Sequence, residues 1–118
     1  MINKVRLGGE DRPIVYNLLA IATYCRVDNI SMDDFLSGGF KPDLLGLMRL
    51  THCALAEGAR KEGKDFLHPF ERVSEWLEDS PEEFEKAMGF FSEAMVLRGK
   101  EKPSDQKKAK GKATKAKV

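Results

Sequence analysis

The sequence predicts a small, mainly α-helical domain of about five helices, led by a short N-terminal β-hairpin and followed by a disordered basic tail. Three observations carry that reading. Apolar residues recur at helical spacing in successive segments between Asn17 and Leu97. The stretch VRLGGEDRPIVYN, residues 5–17, instead alternates with period two about a glycine pair. After Leu97 large apolar side chains stop until Val118.

The glycine pair admits two readings. A phosphate-cradling loop needs several glycines running at once into a helix, usually with a lysine. Gly8 and Gly9 run instead into Glu10 and Asp11, whose carboxylates repel a phosphate. Val5 and Leu7 alternate with Lys4 and Arg6, and the segment beyond is β-branched and aromatic, with Pro13 suited to an edge strand. The glycines therefore close a hairpin.

Asn17 is the expected N-cap of the first helix, whose apolar positions Leu18, Ile21, Ala22 and Cys25 precede a break at Asp28-Asn29. Ser31 opens a short second helix, SMDDFLSGG, with Asp34 at the capping-box position and Gly38-Gly39 as the stop. Asp33 and Asp34 suit the positive end of the helix dipole there and need no catalytic role. Pro42 is placed at the first position of a third helix, PDLLGLMRLTHCALAEGARKEG, which is apolar around most of its circumference and is expected to be central, ending at Gly63. Pro69 and Ser80-Pro81 start two more. The fourth carries Phe70, Val73, Trp76 and Leu77 on one face.

The fifth, PEEFEKAMGFFSEAMVLRG, has Phe84, Met88, Phe91 and Met95 as a helical stripe, flanked by Ala87 and Ala94, with Phe90 and Leu97 farther round. Most of this sector belongs to the core. A body this small leaves some of it incompletely covered, and flexible Met/Phe surfaces suit adaptable partner binding. Phe90, Phe91, Met95 and Leu97, toward the end of the helix, are the candidate partner-binding residues.

At 118 residues the chain holds one domain, residues 1–97, and a Lys-rich tail, residues 98–118. The formal charge of +1 conceals a polarity: residues 1–97 carry 11 basic and 17 acidic side chains, a net −6, and residues 98–118 carry nine and two, a net +7. The tail lacks the hydrophobicity to bury anything. Its lysines gain free energy by releasing phosphate counterions, so a small nucleic-acid-associated protein is the alternative reading. Against it, the tail has no aromatic side chain for base stacking and no arginine beyond Arg98, and the acidic body opposes close approach.

No apolar run approaches the ~20 residues of a membrane helix, and no signal-peptide pattern opens the chain, so a cytoplasmic protein is expected. Cys25 and Cys53 lie far apart in apolar segments and are expected to be buried free thiols. His52, Cys53 and His68 lack the tight ligand pairs of structural zinc, and neighbours on a helix do not face each other. No Gly-x-Ser-x-Gly, His-Glu-x-x-His or Walker spacing occurs, so neither an enzyme nor a cofactor or metal is expected.

The order of elements, with the phrases VRLGGEDRPIVYN, LLGLMRLTHCALAEGARKEG, FERVSEWLE and PEEFEKAMGFFSEAM, resembles the tail assembly chaperones of long-tailed bacteriophages and prophages over about residues 2 to 97. The resemblance rests on order and local phrasing, not on catalytic residues. It implies a helical scaffold-like protein that coats the aggregation-prone tape measure protein in the infected cytoplasm, helps bring tail tube subunits to it and is absent from the finished virion. The tape measure protein is then the partner, with the major tail tube protein and a second copy of the chain as further candidates. The resemblance also implies a longer frameshifted product in many members.

Overall fold

The computed structural model describes residues 2–37 and 42–101, the side chains of residues 97–101 aside. Two strands, β1 (Asn3–Leu7) and β2 (Glu10–Ile14), lead five helices: α1 (Leu18–Val27), α2 (Met32–Leu36), α3 (Leu44–Lys61), α4 (Phe70–Asp79) and α5 (Pro81–Glu101). The chain is thus mainly helical with an N-terminal hairpin. Gly38-Gly39, expected to stop α2, and the basic tail from residue 102 onward lie outside the described residues. Residues 98–101, assigned to the tail from composition, continue α5.

The hairpin is antiparallel, with Leu7 opposite Glu10 and Asn3 opposite Ile14. Gly8 and Gly9 both take positive φ, 62° and 82°, as the two central residues of a type I′ turn require. Val5, Leu7 and Ile14 turn to the core. Both outer edges are covered. On the β2 side the Val15 N–H donates to the Ala54 carbonyl of α3 at 3.1 Å. On the β1 side the Arg6 N–H donates to Glu83 Oε1 of α5 at 2.6 Å. An edge strand left bare is a template for pairing with another chain, and here helices occupy it.

The helix starts follow their caps. Asn17 Oδ1 accepts from the Ala20 N–H at 2.9 Å, and Ser31 Oγ from the Asp34 N–H at 3.0 Å. At α3 the cap is Asp43, whose carboxylate accepts from the Gly46 N–H at 2.8 Å, so Pro42 precedes the cap instead of opening the helix. The carboxylate side chain satisfies an orphan N–H that proline cannot, which shifts the start by two residues. Asp43→Ala is expected to cost about 1 kcal/mol, read as a lower urea midpoint at unchanged slope.

From Leu50 to Ala59, α3 is the centre of the molecule, with Leu50, Thr51, Ala54 and Leu55 fully buried. Its first turn is not: Leu44 and Leu45 are 63% and 44% exposed. The reason is length. α1 packs antiparallel to α3, with Asn17 beside Glu57 and Asp28 paired to Arg49 at 2.9 Å, so α1 runs out before the leading turn of α3. Around α3 the core gathers Tyr24 and Ile21 of α1, the inward hairpin residues, Val73 and Leu77 of α4, and Ala87 of α5.

One part of this packing escapes periodicity. Glu57 lies among the buried residues of α3, its side chain 4% exposed. It accepts from Asn17 Nδ2 at 2.6 Å and from Arg60 Nε and Nη2 at 2.8 Å each. One asparagine thereby caps α1 and ties it to α3.

Candidate functional site

The residues proposed from the sequence lie from the middle of α5 onward, beginning at Phe90 beside the hairpin. Phe90, Phe91 and Met95 are all half-buried and pack against the core. Phe91 is the most engaged. Its ring lies 5.4 Å from Tyr16 and 6.2 Å from Phe35, and Phe35 in turn meets Tyr24 at 5.8 Å, so α1, α2 and α5 share one aromatic run. Such tilted and edge-on pairs stabilise by about 0.5–1.5 kcal/mol beyond their area. Phe91 therefore carries packing as well as half-exposed surface. The Leu97 side chain lies outside those described.

Phe90 has a different setting. It borders a groove of about 280 Å³ together with Ile2, Asn3, Ile14, Val15, Tyr16 and Lys61. Ile14 and Tyr16 are themselves core residues, so the groove is an opening onto the core between hairpin and α5. Tyr16 is fixed there by a 3.3 Å contact between its hydroxyl and Thr51 Oγ1, and burial holds its hydroxyl far above the usual phenol range. Lys61 supplies a cation at the rim. Beyond Met95, Val96 is 57% exposed. The walls contributed by Ile2, Ile14 and Lys61, and exposed Val96, were not singled out from the sequence. Only the strand alternation places Ile14 inward, and nothing in it places Ile14 opposite Phe90.

The other titratable groups are arranged differently. Cys25 and Cys53 are buried free thiols. Burial pushes the Cys53 thiol up to about 11 and raises that of Cys25, so neither is a ready nucleophile at neutral pH. His52 does not meet Cys53. Its ring Nε2 lies 2.9 Å from the His68 carbonyl oxygen, where it donates, and its ring packs edge-on against Phe66 and Phe70. Asp33 and Asp34 sit in the first turn of α2. Among the described residues no three His, Cys, Asp or Glu side chains gather as metal ligands. No helix among them is long and apolar enough to cross a membrane.

The arrangement offers contact surface: a half-covered Phe/Met face on one helix, continuous with an apolar groove that has a single lysine at its rim. Comparison with protein-family models matches none, and comparisons with curated proteins and with solved structures find no similar protein.

Proposed function

We propose that this chain is a tail assembly chaperone of a long-tailed bacteriophage or prophage, which binds apolar helical segments of the tape measure protein and keeps them in solution. It acts by binding, not catalysis, in the cytoplasm of the host cell, and helps recruit tail tube subunits. The observation that carries the reading is the incompletely covered face of α5, where Phe90, Phe91 and Met95 pack on the core yet keep part of their surface, and where Phe90 borders the groove. An amphipathic helix laid on such a face buries anchors at i, i+3 and i+4 spacing. Burying one large apolar side chain is worth roughly 1.5–3 kcal/mol, and a few per copy along many bound copies suffice to hold an insoluble chain in solution. The acidic body keeps neighbouring complexes apart through like charge.

Co-expression with the tape measure protein of the same phage or prophage is the test. That protein is expected in the soluble fraction with the intact chain and with a chain ending at Glu101. It is expected in the pellet with the double variant Phe90→Gln, Leu97→Gln, provided circular dichroism shows the variant folded. Loss of solubilisation on removal of residues 102–118 alone overturns the proposal. So does purified protein that retains nucleic acid in a salt-dependent way while ignoring the tape measure protein, which supports the lysine-tail reading instead.

A further inference from the structure

His68 stands between β2 and the start of α4 with a guanidinium at each ring nitrogen. Arg12 Nη1 is 3.4 Å from Nε2, and Arg72 Nη1 is 3.3 Å from Nδ1. A neutral imidazole keeps one bare nitrogen, which accepts from one of the two guanidinium groups whichever tautomer is present. A protonated ring carries a hydrogen on both nitrogens and accepts from neither. Three cations then meet at one point. The arginines differ in how they answer. Arg72 is exposed in the first turn of α4 and can swing into water. Arg12 is fixed: its Nε donates to the Leu7 carbonyl at 2.7 Å, its guanidinium lies 4.2 Å over the Trp76 ring, and its side chain is 13% exposed. Trp76 is fixed as well, packed so closely on the hairpin turn that a carbon added at Gly8 would stand 2.5 Å from its ring. With Arg12 and Trp76 both held, the imidazolium is the group that must move.

We infer that His68 is a proton-operated latch: neutral, its ring closes the seam between hairpin and α4, and protonated, it turns out of the seam and opens Trp76 and Phe66 to water. Both rings lie against the imidazole, at 4.8 Å and 5.2 Å, so its departure uncovers them together. The surrounding charge does not cancel the repulsion. From β2, Glu10 pairs with Arg12 Nη2 at 3.7 Å, but its side chain is 74% exposed and salt screens it. The cavity of about 170 Å³ beside the ring is also lined by Lys4, Asp11, Glu62, Lys64 and Asp65. Asp11 pairs with Arg6 at 3.2 Å and Glu62 with Lys64 at 4.0 Å, which leaves Lys4 and Asp65 with opposite signs. On α4, Glu71 and Glu75 are exposed beside Arg72. From α3, His52 Nε2 donates to the His68 carbonyl at 2.9 Å and can do so in either charge state, so the backbone stays tied while the ring turns. Burial first, then Arg12 and Arg72, holds the His68 pKa below its usual 6.5 against the opposite pull of Glu10. A ring harder to protonate in the closed seam than outside it favours the open form as pH falls. The seam is therefore closed above pH 6.5 and opens as pH drops through the lowered value.

Trp76 is the one tryptophan of the chain, so acrylamide quenching of its fluorescence, corrected for lifetime, reads the seam in the full chain. Proton NMR of the two imidazoles follows the charge of His68 separately from that of His52. The His68 midpoint is expected below 6.5, and Trp76 is expected to become more accessible across it, with the open-to-closed ratio rising by at most about tenfold per pH unit, the limit for one linked proton. Far-ultraviolet circular dichroism is expected to stay unchanged. His68→Gln keeps an acceptor and a donor but does not titrate, and its Trp76 access is expected to be flat over the same range. Arg72→Gln removes one repelling cation at an exposed position, and is expected to move the His68 midpoint up toward 6.5 and to reduce the rise in access. A His68 midpoint at or above 6.5, a Trp76 access that stays constant while His68 titrates, or an equal rise in His68→Gln overturns the inference.

Discussion

Gly58→Ala is expected to cost about 3 kcal/mol or more, lowering the melting temperature by roughly 15 °C. At this point in α3 the helix backbone lies directly against the hairpin. A methyl group there would overlap the Pro13 carbonyl oxygen and carbon and stand 2.9 Å from the Ile14 nitrogen. These are backbone atoms, and no rotamer change relieves them. The hairpin would have to lift away, breaking the Val15-to-Ala54 bond and uncovering Val5, Leu7 and Ile14. Gly89→Ala supplies the contrast. Gly89 lies within α5 with nothing inside 4 Å of the added carbon, so the same substitution is expected to stabilise by about 0.5–1 kcal/mol through helix propensity and a less flexible unfolded chain. Thermal or urea unfolding of the two variants should give opposite signs. A near-neutral Gly58→Ala would mean that hairpin and α3 are not in contact.

The second large effect is a pH dependence centred on Glu57. Its carboxylate accepts from Arg60 and Asn17, and these hold its pKa down from 4.5 to about 2 against the opposing pull of burial, with the Arg60 hydrogen bonds contributing most. A carboxylate whose pKa is lower folded than unfolded stabilises fully above the unfolded value, and the contribution disappears as pH falls toward the folded one. Between pH 5 and 2 the chain is expected to lose about 2 to 3 kcal/mol from this group, a figure reduced for the solvent around Arg60. Glu57→Gln isolates it. The stability difference between the parent chain and this variant should be flat above pH 5 and shrink toward zero near pH 2. A difference that does not change over that range would assign acid unfolding to other groups.

Much of the fold is legible in the residues because the signals are local. Gly8-Gly9 after a period-two run names the turn, Asn17 and Ser31 name helix starts, and the spacing of Phe84, Met88, Phe91 and Met95 names the inward line of α5. What escapes is whatever depends on a partner far along the chain. Glu57 and Arg60 at i, i+3 read as an ordinary solvated pair, and the further partner of the buried carboxylate, Asn17, lies forty residues earlier in the chain. Gly58 reads as a weak spot in a helix until Pro13 is seen against it. Pro42 reads locally as the helix opener, and the neighbouring Asp43 side chain caps α3 instead. The candidate surface divides in the same way. The helical period places Phe90 on the flank of α5, but the groove beside it is made by Ile2, Ile14 and Lys61, brought there only by packing.

The hydrogen bond from the Arg6 amide to Glu83 spans 77 residues of sequence, and its consequence lies in time. The hairpin leaves the ribosome 77 residues ahead of the carboxylate that seals its outer edge. At about 5–20 residues per second, that edge stays open for roughly 4 to 15 s of synthesis. During that interval α3 emerges and can hold the other side of the hairpin, so the nascent chain carries one bare strand while the core still lacks Ala87 of α5. Ribosomes translating one message in close succession then present the same bare strand side by side. Closure by α5 is thus a race against pairing between nascent chains, and slower elongation through α4 lengthens the exposure without altering the folded protein.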